Sequence, residues 1–218
     1  MNQSSKAPTS FAKKLVSDLK VDDAVLENLE RFVGLLFKWQ TAKNLVSRET
    51  LSEVWDRHIL DSSVLSRLVQ SPAVWIDLGS GAGFPGLVTA ILQKRFDKQG
   101  HVHLVEANTR KAAFLRTVIR ECELSASVHN FRIESLPKPP DLTADFLSAR
   151  ALAPLDDLFS YASPYSQNGT VCFFHKGREI DGEIKRASNT WCFDLIKHES
   201  ASSDDGFIVE VRNIREKG

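Results

Sequence analysis

The chain lacks any excess of charge of one sign: 28 Lys and Arg residues balance 28 Asp and Glu residues over a length of 218. This balance counts mildly against a nucleic-acid partner because phosphate contacts usually leave a basic footprint, although a local basic face can sit within a neutral whole. Hydrophobic residues at 42% and charged residues at 26% are ordinary for a globular protein. The length suits one large α/β domain with a helical appendage.

Cysteine is scarce, and long apolar runs are absent. The three cysteines are widely spaced and form no Cys-x-x-Cys pair, so neither a zinc site nor a disulfide framework is indicated. No run approaches the roughly 18 apolar residues that suggest a membrane span. Residues 1–8 are polar and lack the apolar core of a signal peptide. We therefore expect a cytoplasmic protein without a membrane or metal partner; His101 and His103 share a strand face, but no third ligand is evident.

The first third of the chain predicts helices. Apolar residues between Leu26 and Phe37 recur at spacings of three and four, and Asp22 is a plausible N-cap for this helix. Thr50 and Glu53 form a capping box that begins a second helix, which runs to about residue 69. We expect residues 1–72 to form a helical extension packed on the rest of the chain.

From residue 73 onward, short apolar runs alternate with helical stretches. The predicted strands are 74–78, 102–106, 127–132, 145–149, 170–175, 191–197 and 207–212, and the predicted helices are 85–95, 109–122, 154–161 and 178–188. This alternation implies right-handed crossovers and a mostly parallel sheet covered on both faces. No helix is evident between the last two strands, so we expect an antiparallel hairpin at one edge. Residues 73–218 thus predict a seven-stranded, Rossmann-like α/β sheet that resembles the class I methyltransferase sheet.

The strongest local signal lies in residues 74–83, where an apolar strand runs into Gly79, Gly81 and Gly83. Glycine is needed where the backbone turns sharply or lies too close to a ligand for a Cβ atom. A dinucleotide-binding loop would carry its third glycine at Phe84, so a nucleoside without phosphates, such as S-adenosylmethionine, fits better. Glu106 ends the second strand, where an acid can accept hydrogen bonds from ribose hydroxyls. The alternative is a tight turn beside a solvated carboxylate.

Polar residues also follow the third and fourth predicted strands. Ile133 and Glu134 come where the adenine is usually held in such a sheet, and Arg150 comes beside the methyl group to be transferred. Arg150 could pair with the methionine carboxylate or with a substrate phosphate; a surface salt bridge is the alternative. No Ser/His/Asp or Cys/His catalytic set is evident. The Pro-Pro-aromatic motif of adenine-N6 methylases and the nucleophilic cysteine of cytosine-C5 methylases are also absent.

Two further segments are uncommon among methyltransferases generally: residues 57–62, Arg-His-Ile-Leu-Asp-Ser, and residues 83–86, Gly-Phe-Pro-Gly. With them, most of the chain resembles the RsmG (GidB) family of bacterial 16S rRNA guanine-N7 methyltransferases. The resemblance implies the cofactor S-adenosylmethionine and 16S rRNA as substrate, in the small ribosomal subunit; we expect a monomer. It implies cofactor contacts from Gly79, Phe84, Ile133, Glu134 and Arg150, to which the glycine loop and strand pattern add Gly81, Gly83 and Glu106. The substrate candidates are Asn44, Arg57, His58, Asp61, Arg132 and Lys176.

The implied chemistry needs no catalytic base. Guanine N7 has an in-plane lone pair and no proton to remove, so alignment with the sulfonium methyl suffices. Carboxylates such as Glu134 or Asp61 could stabilise the positive charge that develops on the base. N7 faces the narrow, deep major groove of an RNA helix, so we expect the target in a loop or distorted helix. A small-molecule methyltransferase and a non-catalytic binding module stay open as alternatives, and His58 could be an ordinary buried histidine.

Overall fold

Helices form the first part of the structure, a computed structural model that describes residues 5–43, 53–96, 98, 100–139, 141–201 and 205–218, without the side chains of residues 9, 12, 16 and 41–43. Helix α1 spans Thr9–Leu19 and helix α2 spans Asp23–Lys43. A π-helical segment, Val54–Leu60, leads directly into α3, Asp61–Leu68. The predicted N-cap of α2 is confirmed, because Asp22 Oδ1 accepts a 2.9 Å hydrogen bond from the Val25 N–H. The capping box at Thr50 lies outside the described residues.

A seven-stranded sheet with the order β3-β2-β1-β4-β5-β7-β6 forms the rest. Its strands are β1 (Val74–Leu78), β2 (His101–Val105), β3 (Ala126–His129), β4 (Phe146–Arg150), β5 (Val171–Lys176), β6 (Trp191–Glu199) and β7 (Phe207–Glu216). Its helices are α4 (Gly86–Leu92), α5 (Thr109–Glu121), α6 (Leu155–Ser166) and α7 (Ile180–Thr190). The first five strands are parallel, and β7 pairs antiparallel with both β5 and β6. The predicted mostly parallel sheet with an antiparallel edge hairpin is confirmed.

Some boundaries differ from the prediction. Strand β3 ends at His129 rather than at residue 132, because the Asn130 side chain donates to the carbonyls of Glu106 and Ala107 and ends the pairing. Residues Ile133–Ser135 then form a 3₁₀ turn, so Glu134 lies in a connection rather than at a strand tip. Helix α1 was not predicted, and α6 and β7 run four residues or more past their predicted ends.

Two hydrophobic layers enclose the sheet. On one face, α1, α2, α3 and α4 share a single buried cluster with sheet residues such as Trp75 and Phe173. On the other face, α6 and α7 pack on residues such as Leu147 and Phe174. Within this layer α1 and α2 pack mainly on other helices, since Phe32 of α2 contacts Phe84 and also Phe114 of α5. None of the helices in the described part of the chain combines the length and apolar character that a membrane span requires.

Candidate functional site

The loop after β1 is shaped by backbone conformations that favour glycine. Gly79, Gly81 and Gly83 have φ values of +64°, +56° and +96°, in the left-handed region. A Cβ atom on Gly81 would meet nothing nearer than the Gly79 carbonyl oxygen at 3.7 Å, so Gly81 faces open space. A Cβ atom on Gly83 would instead collide with Leu87 of α4. Gly81 is thus the glycine that leaves room for a ligand, whereas Gly83 permits close helix packing.

Glu106 fastens this loop to the end of β2. Its buried carboxylate accepts a 2.8 Å hydrogen bond from the Gly81 N–H through Oε2 and a 2.7 Å bond from the Asn108 N–H through Oε1. Each carboxylate oxygen has two lone pairs, so both can accept a further hydrogen bond. Glu106 can therefore hold the glycine loop and a ribose at the same time, a double role that the sequence did not reveal.

A cleft of about 400 Å³, here called the cofactor cleft, opens at the carboxyl ends of the strands. This volume lies within the range usual for small-molecule sites. The strand order reverses between β1 and β4, the point where open α/β sheets bind ligands. The residues predicted from the sequence that line the cleft are Gly79, Gly81, Glu106, Arg132, Ile133 and Glu134, and Tyr161 of α6 adds an aromatic wall that the sequence did not indicate.

Arg150, His58 and Phe84 form a packed group beside the cofactor cleft rather than part of its lining. Arg150 Nη2 lies 2.6 Å from His58 Nδ1, and its guanidinium carbon lies 5.2 Å from the centre of the Phe84 ring. His58 stacks on Phe84 with ring centres 4.9 Å apart. Since arginine can only donate, His58 Nδ1 is the acceptor and Nε2 carries the hydrogen. Burial and the Arg150 charge lower the pKa of His58 to about 3.

Asp61 lies at the start of α3 and joins three distant parts of the chain. It accepts hydrogen bonds from His175 Nδ1 at 2.9 Å and from Ser200 Oγ at 2.6 Å. Burial opposes its ionisation, but these two hydrogen bonds hold the pKa of Asp61 below its ordinary value. His175 is the register partner of Arg150 across β4 and β5. Asp61 therefore lies in the same region as Arg150, although its carboxylate is taken up by internal bonds.

The remaining substrate candidates have different surroundings. Lys176 is buried and donates 2.7 Å hydrogen bonds to Glu183 and to the Ala153 carbonyl, so its charge is paired inside the protein. Arg57 is exposed and forms a 3.3 Å ion pair with Glu53. Arg132 is also exposed, at the rim of the cofactor cleft. Asn44 lies outside the described residues.

A second cleft of about 330 Å³ continues along the same edge of the sheet. It shares the segment 151–153 with the cofactor cleft and extends to residues at the end of β5. Ala151 in this shared segment has a φ value of +50°, which is unfavourable for a residue with a Cβ atom. Such strained positions are frequent at functional sites.

Asp77 lies beneath the glycine loop with only 1% of its surface exposed. Its Oδ1 accepts a 2.7 Å hydrogen bond from Ser148 of β4, and no partner of Oδ2 is found among the described residues. Burial raises the pKa of Asp77 to about 6, against the lowering effect of the Ser148 hydroxyl. The side chain thus ties β1 to β4 at the point where the cofactor cleft opens.

The histidines of β2 gain a third neighbour in the structure. His103 Nδ1 lies 3.0 Å from His129 Nε2 of β3, and His101 Nε2 lies 3.0 Å from Ser127 Oγ. Sequence spacing does not indicate His129, because it is strand pairing that brings this residue close to His103. Within the described ranges, no group of three His, Cys, Asp or Glu side chains is arranged to hold a metal ion.

Comparisons with known proteins give a consistent result. The model of the family described as rRNA small subunit methyltransferase G, GidB, matches residues 25–206. A ribosomal RNA small subunit methyltransferase G from Rhizobium meliloti (strain 1021) is 45% identical over 202 residues, which cover 91% of this chain and 94% of the relative. The protein of the same name from Sinorhizobium medicae (strain WSM419) is 44% identical over 204 residues, covering 92% and 95%.

Solved structures share the fold at much lower identity. The O-methyltransferase TomG from Streptomyces achromogenes, in complex with SAM, superposes with a TM-score of 0.55 at 14% identity, covering 97% of this chain and 99% of that one. An SAH-bound methyltransferase from Podospora anserina gives a TM-score of 0.58 at 11% identity, covering 94% and 96%. These similarities show that the sheet and its helices have the class I methyltransferase architecture.

Proposed function

Because the chain belongs to the ribosomal RNA small subunit methyltransferase G family, we propose that it transfers the methyl group of S-adenosylmethionine to N7 of one guanine in 16S rRNA. The observation that carries this proposal is the cofactor cleft at the strand-order reversal, where the open face of Gly81 lies next to the Glu106 carboxylate to which it is hydrogen-bonded. The relatives are named for an rRNA substrate, which does not favour the alternative of a small-molecule methyltransferase.

The residues present fit this cofactor. Glu106 would accept hydrogen bonds from the ribose hydroxyls through its remaining lone pairs. Ile133, Glu134 and the Tyr161 ring would enclose the adenine, and Gly81 leaves the space that a side chain would fill. S-adenosylmethionine would supply a methyl group on a positively charged sulfur. Phe84 and Arg150, which contact each other beside the cleft, would support the glycine loop without lining the cleft. Gly79 and Gly83 would allow the loop backbone its left-handed conformation.

The chemistry is proposed to proceed by alignment without a general base. Guanine N7 attacks with its lone pair and loses no proton, so the protein contributes chiefly by fixing the two reactants at near-attack distance. The candidate base nearest in the site, His58, stays neutral at physiological pH and its Nδ1 lone pair is occupied by Arg150. The second cleft, which adjoins the cofactor cleft at residues 151–153, offers room for the target base. Asp61 would offset the positive charge of Arg150 and of the methylated base.

We further propose that the chain acts on the small ribosomal subunit in the cytoplasm, as a monomer and without a metal ion. Residues 1–72 would serve as an extension that helps to place the RNA, and residues 73–218 as the catalytic core. Arg57 and Arg132 are the exposed substrate candidates. Lys176 would act indirectly, because its pairing with Glu183 and the Ala153 carbonyl supports the segment between the two clefts.

The test is transfer of a labelled methyl group to intact small ribosomal subunits and to naked 16S rRNA, side by side. Borohydride reduction followed by aniline should cleave the labelled RNA at one guanine, because N7-methylation makes that nucleotide labile. Label on an exocyclic amine, or transfer only to a small metabolite, would contradict the proposal. Subunits depleted of the modification provide the substrate, and already methylated subunits provide the control.

A further inference from the structure

Helix α5 concentrates basic residues in a chain that is neutral overall. The helix contains four basic residues and one acidic residue, Glu121 at its last position. The basic residues are Arg110, Lys111, Arg116 and Arg120. With 3.6 residues per turn, Arg110, Arg116 and Arg120 fall within roughly a third of the helix circumference. All three are exposed. We call these three residues the basic face of α5.

Two basic residues of this helix, Arg110 and Lys111, lie at its first turn, where a cation is unfavourable for the helix itself. Helices α2, α3, α6 and α7 each carry an acidic residue in the first turn, where it complements the positive end of the helix dipole. Helix α5 has none there and instead begins with Arg110 and Lys111, after the Asn108 cap. Two cations at this end lower helix stability. A local arrangement that costs stability is expected where the residues serve a function.

The surroundings leave the basic face accessible. No ion pair of Arg110 or Arg116 occurs among the described residues, and Arg120 pairs only with its neighbour Glu121, both being well exposed. Such an exposed pair is weak and easily replaced by another anion. The residues between the arginines, Ala113 and Thr117, are small. A flat or convex anionic surface could therefore reach all three guanidinium groups.

The basic face starts next to the cofactor cleft, because Arg110 follows the start of α5 and its neighbour Lys111 lines the cleft. Lys111, at the start of α5, and Arg132, after β3, both line that cleft. The helix has 13 residues and is roughly 20 Å long, which corresponds to about six nucleotides at the spacing of a helical strand. The basic face therefore starts near the ribose and adenine end of the cofactor cleft and runs away from it along the surface, which suits an extended polyanion that also reaches the neighbouring site.

We propose that the basic face of α5 binds phosphates of the substrate RNA that flank the docked region, outside the nucleotide that enters the second cleft, with the exposed Arg132 extending this contact along the rim of the cofactor cleft. This inference rests on the proposed function, because it assigns a docking surface to the same RNA. Phosphate contacts position an RNA without reading its sequence. The surface therefore determines binding strength and salt dependence, while the choice of nucleotide lies in the clefts.

The test compares the double variant Arg116→Gln/Arg120→Gln with Lys185→Gln/Arg186→Gln, which removes the same charge from exposed positions of α7. Binding of labelled 16S rRNA transcript is measured over roughly 50 to 300 mM KCl, where the logarithm of affinity should fall linearly with that of salt. The α5 variant should show a slope less negative by about 1.5, the value expected when two phosphate contacts are lost. Adding Arg110→Gln should reduce the slope further, and the α7 variant should match the wild type.

Two controls separate this surface from the cofactor site. S-adenosylmethionine affinity, measured by calorimetry, and the single-turnover rate at saturating RNA should be unchanged in the α5 variant. Equal slopes in the α5 variant and the wild type, or equal losses in the α5 and α7 variants, would overturn the surface assignment while leaving methyl transfer by the wild type intact. If the wild type transfers no methyl to the RNA, the proposed function is itself wrong and the assignment falls with it.

Discussion

Replacing Asp77 by Asn should remove a large part of the pH dependence of stability. Burial raises the pKa of Asp77 from an ordinary value of 3.8 to about 6 in the folded protein. The folded state therefore keeps a proton that the unfolded chain has already lost. This group stabilises the fold fully below pH 3.8, and the contribution is lost as the pH rises through 6. The difference between the two pKa values corresponds to about 3 kcal/mol in all, of which about 2 kcal/mol falls between pH 4 and 7.

The measurement is urea unfolding of the wild type and the Asp77→Asn variant at several pH values between 4 and 8. The free energy of unfolding of the wild type, relative to the variant, should decrease by about 2 kcal/mol across this range. Asp157→Asn, an exposed acid at the start of α6, is the matched control and should follow the wild type. Parallel curves for the wild type and Asp77→Asn would refute the reasoning, because they would mean that Asp77 does not titrate differently on folding.

Three further changes test the site. Gly81→Val should abolish S-adenosylmethionine binding, measured by calorimetry, because a branched side chain would fill the cleft. Glu106→Ala should weaken this binding by about 1–3 kcal/mol. Unchanged affinity in both variants would exclude the proposed site. The single-turnover methylation rate should be flat between roughly pH 7 and 8.5, since a general base would impose its own titration; a one-proton step near neutrality would implicate His58. Lys176→Met should destabilise folding by about 3 kcal/mol, because the mostly buried Glu183 carboxylate would keep its hydrogen bond from the Leu155 N–H but lose its cation. Double substitution with Glu183→Gln should recover much of that loss, and failure to recover would contradict the pairing.

The sheet could be predicted because its signals are local. Strands β1, β2, β4 and β5 are short apolar runs that are each followed by a helix, so the order of these elements could be read from the sequence. The limits of β3 could not, since they depend on Asn130, whose side chain bonds carbonyls more than 20 residues away. Helix α1 could have been predicted, because Phe11, Leu15 and Leu19 recur at a spacing of four and all three are buried in the structure.

Residues of the candidate site could be proposed from the sequence where their type has a common use at such a position: a glycine in a tight turn, and an acid at the end of a strand. Gly81 and Glu106 both line the cofactor cleft, next to each other. The pairing of Asp61 with His175 and Ser200 joins residues separated by 114 and 139 positions, and no local pattern carries that information. For the same reason the internal partner of Lys176 could not be foreseen. A charged residue next to a site can contact a substrate or support a loop, and only the structure distinguishes the two.

The role of N7 as the acceptor atom is tested directly by methyl transfer to an RNA in which the mapped target guanine is replaced by 7-deazaguanine, introduced by ligation of a synthetic segment. The replacement removes the N7 lone pair while keeping the Watson–Crick edge, so the RNA should still dock. Transfer of the labelled methyl to this RNA should stop, although the RNA should still bind. The ligated control RNA with ordinary guanine should be methylated. Continued transfer to the 7-deaza RNA would contradict N7 as the acceptor atom.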